Sequence, residues 1–471
     1  MRKYFLIQIF LICCTISLAG QNLILDDPWQ IWTGERLPQM SDSTFSKGFE
    51  SRYTIEEGDF HRQWEAKGKN FLDMHTWGKG SFGKSWTSSG QFGYRNLEYH
   101  VLSWVQNRNP YSGIPILLAD SSQANLTQHR FWGNFTAKYE ADHSWNGSFS
   151  LRYAVDNGYR DAFPRAQSRH TDGLISVALA YQLWACYEIS AFQFQEMLIS
   201  SRYSLDQGLT PTFIKIHGFD FPVILRGSSS EERLHIHQGI QQKVILAPIR
   251  FFSAKLFYET GNGTANDGGA YKAPQGSWEN QRYGGGFTLQ IATIQAQFQA
   301  VSAVLESHHP ELELTPWQQK EHAIGANIQA QFWKGAAIWA DAGSQALLQQ
   351  DLFSGVQLYS ESFHSAAGLN FHIPFSKKFS LKINTDARQR QILKSHLESN
   401  PLSGWYFQEI TTADAVIAFA DFQSWRIAPE LHILKNDKIY TFGIQYQKLQ
   451  AKELDLSRKT LAIHLSVGIG E

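Results

Sequence analysis

The sequence has few cysteines and no long apolar run after its first segment. It contains three cysteines in 471 residues, and Cys13 and Cys14 both lie within that first segment. Cys186 is left without an internal partner, which excludes the disulfide-rich scaffolds of small exported proteins. No later stretch approaches the roughly twenty apolar residues of a transmembrane helix. Helical membrane proteins are therefore excluded as well.

Charge of one sign is also lacking. The chain has 42 Lys and Arg residues against 43 Asp and Glu residues, for a formal net charge of −1. Without a basic stripe, the sequence predicts no nucleic-acid partner. No low-complexity linker or composition shift marks a domain boundary, although the length alone would allow two or three domains. An aromatic content of 14% and 36 glycines instead suit one large β-barrel.

The N-terminus carries an export signal. Arg2 and Lys3 precede an apolar run to Ile16, and small residues follow up to Gly20. This order is typical of a secretory signal peptide, which we predict to occupy residues 1–20. Residues 21–59 show weak alternation and are interpreted as an N-terminal arm or plug segment. Residues 60–471 are assigned to the main domain.

The clearest pattern lies in the last stretch of the chain, residues 438–469. Apolar residues occupy every second position there: Tyr440, Phe442, Ile444, Tyr446, then Leu461, Ile463, Leu465, Val467 and Ile469. A period of two predicts extended strands with one apolar and one polar face. A membrane barrel and an antiparallel sandwich both contain such strands. The pattern leaves both architectures open.

A predicted hairpin in the middle of the chain favours the barrel. Residues 131–140 and 145–153 alternate in the same way and are joined by a short polar turn. Aromatic residues stand near the strand ends, where a membrane interface would lie. The opposite faces carry Lys138, Glu140 and Arg152. Charged side chains suit a hydrated lumen and do not suit a sandwich core.

Two segments that flank this hairpin resemble a known family. They are Trp104–Tyr111 (WVQNRNPY) and Gly158–Arg165 (GYRDAFPR). Together they resemble the opening of a family of uncharacterised outer-membrane β-barrels from the Bacteroidota, which pair an aromatic-Asn-Pro-Tyr loop with an Asp-Pro-Arg loop. Ala162 and Phe163 interrupt the second motif. The resemblance implies an outer-membrane barrel, often encoded near TonB-dependent receptor systems, and it supplies no catalytic residues.

Alternating segments continue to the C-terminus and predict a single antiparallel transmembrane β-barrel of about 16 strands, within a range of 14–18. Short connections, such as residues 374–378, are predicted to be periplasmic turns. The extracellular loops are predicted at residues 157–171, 205–232, 261–282 and 394–403. Parity then requires residues 406–434 to hold one long, bulged strand. The residues predicted to face the lumen are Lys138, Arg152, Lys382, Asp386, Arg388 and His464.

One motif would suggest nucleotide binding. Residues Gly78 to Ser85 match the phosphate-loop pattern, with Gly83, Lys84 and Ser85 at its end. A phosphate loop needs a helix whose N-terminus follows the glycines. The residues that follow are extended and rich in glycine. We therefore interpret the motif as a hairpin turn.

Three histidines are the candidates for metal binding. His235 and His237 are two residues apart, so on a strand they would point to one face, and His217 precedes them in a predicted loop. Histidine binds zinc, copper and iron, but no cysteine or glutamate of known ligand spacing accompanies the three. The sequence therefore predicts no resident metal, no cofactor and no catalytic residue.

Three functions follow from the predicted barrel. The first is a porin-like or accessory role in solute uptake across the cell outer membrane, with outer-membrane lipid and, as an expected partner, a TonB-dependent receptor or surface lipoprotein. The second is a structural barrel that organises the surface or binds polysaccharide. The third is a barrel enzyme, which would need serine, histidine and an acidic residue at one rim. No such constellation is found, so the chain is predicted not to be an enzyme.

Overall fold

In a computed structural model the chain forms a single closed antiparallel β-barrel of 18 strands. The structure describes residues 45–470, except residues 106–115, 142–143, 162–164, 183–184, 204–211, 220, 227–229, 250, 269–272, 311–314, 334 and 400–403. The predicted signal peptide, residues 21–44 and most of the Trp104–Tyr111 motif lie outside the described residues. The predicted fold class is confirmed, and the strand number is at the upper end of the predicted range.

Eighteen strands form the barrel wall and two more form a hairpin inside one loop. The wall strands are β1 (Phe45–Gly58), β2 (Gly68–Phe82), β3 (Trp86–Val105), β4 (Ile116–Glu140), β5 (Trp145–Arg160), β6 (Arg165–Gln182), β7 (Ala185–Tyr203), β10 (Ser230–Ile249), β11 (Phe252–Asp267), β12 (Ala273–Ile291), β13 (Ile294–His308), β14 (Trp317–Trp333), β15 (Ala336–Asp351), β16 (Val356–Pro374), β17 (Phe379–Glu398), β18 (Phe422–Lys435), β19 (Lys438–Ala451) and β20 (Leu456–Gly470). The inserted hairpin consists of β8 (Thr212–His217) and β9 (Phe221–Arg226). Residues Phe407–Thr411 form a π-helical turn that continues into α1 (Thr412–Ala418).

Short and long connections alternate around the wall. The short ones, such as residues 83–85, 292–293 and 436–437, lie at one end together with the first and last strands' outer termini. We call this the turn end and the opposite end the loop end. Asn436 and Asp437 both have positive φ, at 51° and 58°, which a two-residue turn with the right twist for a hairpin requires.

Three predictions about the strands are wrong. Residues 45–58, which the sequence analysis assigned to an arm, form β1 and pair with both β2 and β20. This pairing closes the barrel and removes the exposed edge that β20 would otherwise present. Residues 406–434 are not one strand, because a helical segment precedes β18. The predicted loops at 157–171 and 261–282 consist mostly of strand residues, since polar side chains are tolerated on strands that extend beyond an apolar belt.

The outer face of the wall carries a continuous apolar belt. Large side chains that point outward and are well exposed occur on every side of the barrel, including Tyr53, Phe135, Leu151, Phe287 and Ile463. Toward the loop end the same outward positions become polar. On β11 they are Thr260, Asn262 and Thr264, and on β12 they are Glu279 and Gln281. The strands therefore continue past the belt at the loop end.

Among the described residues, no helix has the length and apolar character needed to cross a bilayer.

Candidate functional site: the barrel lumen

Beyond the apolar belt, the inner wall is packed with buried ionic groups. Asp172 on β6 is fully buried, and the guanidinium groups of Arg130 and Arg152 approach it from β4 and β5. The distance from Asp172 Oδ1 to Arg152 Nε is 3.5 Å, and Arg130 Nε also lies 3.4 Å from Asp156 Oδ1. Buried charges are tolerated only when opposite charges neutralise them. The charges on β4, β5 and β6 therefore compensate one another.

The same pattern continues on the next strands with two histidines. Glu196 on β7 accepts contacts from Nδ1 of His170 at 3.6 Å and Nδ1 of His235 at 3.4 Å. Burial raises the pKa of Glu196, but the hydrogen bonds and charges of the two histidines outweigh it and leave the pKa well below its ordinary value. Asp267 on β11 is held in the same way by Arg233, with Nε 2.7 Å from Oδ1.

The hairpin β8–β9 crosses the lumen from this wall to the opposite one. β8 pairs with the first residues of β4, and the ammonium of Lys215 lies 2.6 Å from Asp267 Oδ2. Ile214 is buried beside it. At the tip, the backbone N–H of Phe219 donates to Asp351 Oδ2 on β15 at 2.8 Å, and the Phe219 ring packs on Trp317. The hairpin is therefore fixed at both of its ends.

A helical segment packs beside the hairpin at the loop end. Tyr406, Phe407 and Ile410 are buried, and Thr411 Oγ1 donates to the carbonyl oxygen of Phe219 at 2.8 Å. The lid thus packs on the hairpin tip. We use the name lid for residues 404–421.

An ion pair joins the lid to the connection between β1 and β2. Asp414 on α1 accepts from Nε and Nη2 of Arg62, with Nε at 3.2 Å, and from the backbone N–H of Gln63 at 3.0 Å. Trp64 stacks on Tyr406 with ring centroids 6.2 Å apart. Three separate segments therefore meet over the lumen.

The three histidines do not assemble into a metal site. His235 and His237 share the inner face of β10, as their spacing predicts, but His235 contacts Glu196 whereas His237 packs between Phe192 and Trp278. His217 lies at the end of β8, where its ring contacts His309. In the described part of the chain no group of three or more potential ligand side chains could hold a metal ion.

Two of these histidines are held neutral. Burial lowers the pKa of His237 from 6.5 to about 4, against a hydrogen bond from the ring to the backbone of Asn262 that raises it. Burial also lowers the pKa of His217 to about 4, and the positive charges of Arg233 and His309 add to this effect. Both rings lie beyond the apolar belt. They pack as neutral aromatic groups, which makes the loop end sensitive to acid.

Of the other residues predicted to face the lumen, Asp386 and Arg388 contact each other, and the rest lie at separate places on the wall. Arg152 is buried in the ionic wall, while Lys138 is exposed near the turn end. Asp386 on β17 is buried and accepts from Nε of Arg388 at 2.9 Å and Nε of Arg426 at 2.6 Å. Lys382 lies 3.9 Å from Glu430, one strand away. His464 stands opposite Gly443, where an added side chain would collide with its ring.

Sequence reasoning missed the groups that close the loop end. Asp351, Asp414 and the tip at Phe219 were not singled out, because each acts through a partner more than a hundred residues away. One signal was available. The segment 212–217 (TFIKIH) alternates as a strand does, although it lies within a predicted loop.

The phosphate-loop motif forms a hairpin turn. Gly78 and Gly80 lie on β2, Gly83 has a φ of 66°, and Trp86 begins β3. An extended strand follows the motif where a nucleotide site needs a helix. The nucleotide interpretation is therefore excluded, and the turn was predicted correctly.

Solved structures with a similar fold include outer-membrane transporters and receptors. The copper transporter OprC is 7% identical with a TM-score of 0.48, and the match covers 89% of this chain and 63% of OprC. The outer membrane transporter YddB from Escherichia coli is 6% identical with a TM-score of 0.45, covering 90% of this chain and 80% of YddB. The ferric yersiniabactin uptake receptor FyuA from Yersinia pestis is 6% identical with a TM-score of 0.45, and the match covers 89% of this chain and 80% of FyuA. At these values no activity is transferred to this chain.

No curated protein matches the sequence. A family model, however, matches residues 39–470, which is nearly the whole chain and includes every strand of the barrel. The chain belongs to this family, which is described as a family of unknown function (DUF6850).

Proposed function

We propose that the protein is an outer-membrane β-barrel with a porin-like or accessory role in solute uptake. The apolar belt on its outer face supports a membrane location, because an outward apolar band around the barrel is typical of barrels that contact lipid. The polar inner face and the turns that are short at one end and long at the other are typical of bacterial outer-membrane barrels. The turn end would then face the periplasm.

One observation carries the transport role. At the loop end, two segments that are inserted into loops lie over the lumen, namely the hairpin β8–β9 and the lid. At their tips, the hairpin β8–β9 and the lid are held by polar contacts of Asp351, Asp414 and Thr411 and by the packing of Phe219 on Trp317. These tip contacts can be released without disturbing the backbone ladders of the wall. The geometry therefore suits a gated passage.

We propose a TonB-dependent receptor or a surface lipoprotein as the partner in the accessory form of this role. Such a partner would contact the exposed loop end and release the lid. Chemical cross-linking in intact cells, followed by purification of the barrel, tests this part. Recovery of no outer-membrane partner from cells that express the protein at its natural level would refute the accessory role and leave an autonomous channel.

Single-channel recording in planar bilayers tests the passage itself. We compare the full protein with a variant in which a glycine-serine linker replaces residues 212–226, and with a control in which a similar linker replaces residues 268–272. The hairpin variant should show large, steady conductance steps, whereas the full protein and the control should conduct rarely. Folding of each is checked by heat-modifiable gel mobility.

Silence from both the folded hairpin variant and a folded variant that also lacks residues 22–44 would refute the channel. A further variant tests the N-terminal arm and removes only residues 22–44, because β1 begins at Phe45 and is needed to close the barrel. If steps require both deletions, the arm is a second closure within the same channel.

A further inference from the structure

The inner wall near the turn end carries a patch of amides around one tryptophan. On the inner faces of β13, β14 and β15 stand Gln295, Gln297, Asn327, Gln329, Gln331 and Trp339. Their outward neighbours are Ile294, Phe298, Ile328 and Ile338, which are exposed on the belt. Because side chains alternate along a strand, the amides and the indole point into the lumen. We call this set the amide–indole surface.

Register places these groups side by side. Gln295 is paired with Gln329, and Gln329 with Trp339, so they form a row across three strands. Gln297 is likewise paired with Asn327. At the usual strand spacing of about 4.8 Å, the row of three spans roughly 10 Å. That is enough for a ligand to touch the indole and several amides at once.

A glycine on the next strand sets the position of the indole. Trp339 is paired with Gly368 on β16, and a Cβ added to Gly368 would lie 2.6 Å from both Cε2 and Nε1 of the indole. The ring therefore lies over the glycine, against the wall. In this position it presents its other face to the lumen, where a flat apolar surface is available for stacking.

The side-chain amides of this surface have no hydrogen-bond partner within the described part of the chain. Amides on β15 that lie nearer the loop end do have such partners. Gln345 donates to Glu321 at 2.7 Å, and Gln349 donates to Gln319 at 2.8 Å. An amide offers two donors and an acceptor, and those of the amide–indole surface remain free to bind a ligand in place of water.

Charge nearby is compensated. Asp386, which is paired with Gly368 across the strands, accepts from both Arg388 and Arg426. Asp341 lies two residues after Trp339 on β15 and is paired with Asn327. Two carboxylates therefore stand near two guanidinium groups, and the amide–indole surface itself is uncharged. It offers an ion no net attraction.

We propose that the amide–indole surface binds a neutral oligosaccharide. A sugar ring has an apolar face of C–H groups that can stack on an indole, and its hydroxyl groups both donate and accept hydrogen bonds, as amides do. Concave sites with an aromatic surface and a few convergent polar groups are typical of small-molecule binding. This inference rests on the proposed uptake function and names the class of solute that passes through the lumen.

Isothermal titration calorimetry on the full, detergent-solubilised protein tests the proposal. The probes are maltohexaose, cellohexaose and mannohexaose as neutral ligands, and hexagalacturonate as an acidic one. At least one neutral probe should bind, and hexagalacturonate should bind at least tenfold more weakly. Trp339→Ala should weaken binding at least tenfold. Trp333→Ala, an exposed tryptophan at the end of β14, should leave binding unchanged.

Gly368→Ala provides an independent arm, because the indole is retained but can no longer lie against the wall. We expect several-fold weaker binding from this variant. Absence of binding by all three neutral probes to folded protein, or equal binding by Trp339→Ala, would overturn the proposal. Failure of the channel is recognised separately, since conductance of the variant lacking residues 212–226 does not depend on sugar.

Discussion

Asp414 provides the sharpest test of the closure, because one carboxylate joins the lid to another loop. Its two oxygens accept from the guanidinium of Arg62, and Oδ1 also accepts from the backbone N–H of Gln63. Asp414→Asn removes the charge but keeps the size of the side chain. It leaves one acceptor for two sets of donors and places an NH₂ group against the guanidinium.

The magnitude follows from the exposure of the pair. Hydrogen bonds to charged groups contribute about 1.5–3 kcal/mol each, but the side chain of Arg62 is 34% exposed and that of Asp414 is 13% exposed. Solvent screens such a pair, so we expect a total loss of about 1–3 kcal/mol. A change of this size shifts the ratio of open to closed lid by roughly 5- to 150-fold.

Single-channel recording measures this ratio directly as open probability. Glu409→Gln is the matched control, because Glu409 is an exposed acidic residue on the same lid. Arg62→Gln should raise the open probability as Asp414→Asn does, and the double variant should add little, since both break one interaction. If Asp414→Asn and Glu409→Gln give the same open probability in folded protein, the lid does not close the passage and the reasoning fails.

Three further predictions concern the hairpin and the wall. The pKa of His217 is lowered to about 4 in the docked hairpin, so the docked hairpin binds fewer protons than the released one between pH 6.5 and 4. Docking should therefore weaken as the pH falls through this window. His217→Gln should flatten the pH profile of open probability. Asp351→Ala removes the acceptor at the hairpin tip, so limited proteolysis should cut the hairpin at least several-fold faster. Gly93→Ala would place a Cβ 2.6 Å from Nε1 of the buried Trp132, whereas the nearest atom to such a Cβ at Gly147 is 4.0 Å away; urea unfolding should show a loss of about 1–3 kcal/mol for Gly93→Ala and little change for Gly147→Ala.

The strands of the barrel could be predicted because their signal is local. Alternation places Phe379, Leu381 and Ile383 on one face of β17 and Lys382 and Asp386 on the other, whatever the rest of the chain does. Parity between two short turns correctly required a single strand between β17 and β19. It could not show that a helical segment occupies the first part of residues 406–434, since the buried face of that segment is defined by contacts with Trp64 and Phe219.

The N-terminal strand shows a second limit of local patterns. β1 alternates only over Phe49, Ser51, Tyr53 and Ile55, with a serine on the apolar side. Its assignment depends on pairing with β20, which lies about four hundred residues further along the chain. For the same reason the ionic wall was not foreseen. Arg152 was identified as facing the lumen, but its burial against Asp172 depends on the register of two other strands.

The contacts of the hairpin indicate which of its ends moves when the passage opens. Its base is held by the ladder between β8 and β4 and by Lys215, which joins Asp267 inside the ionic wall. Removing this ammonium would leave a buried carboxylate with less compensation, which is costly. Its tip is held by hydrogen bonds from Phe219 to Asp351 and from Thr411 to Phe219, which contribute about 1–3 kcal/mol each, and by the ring of Phe219, which packs on Trp317. Within the described part of the chain, Phe219 takes part in no strand pairing, whereas the base of the hairpin is paired with β4. We therefore expect the tip to leave before the base, once the lid has released Phe219.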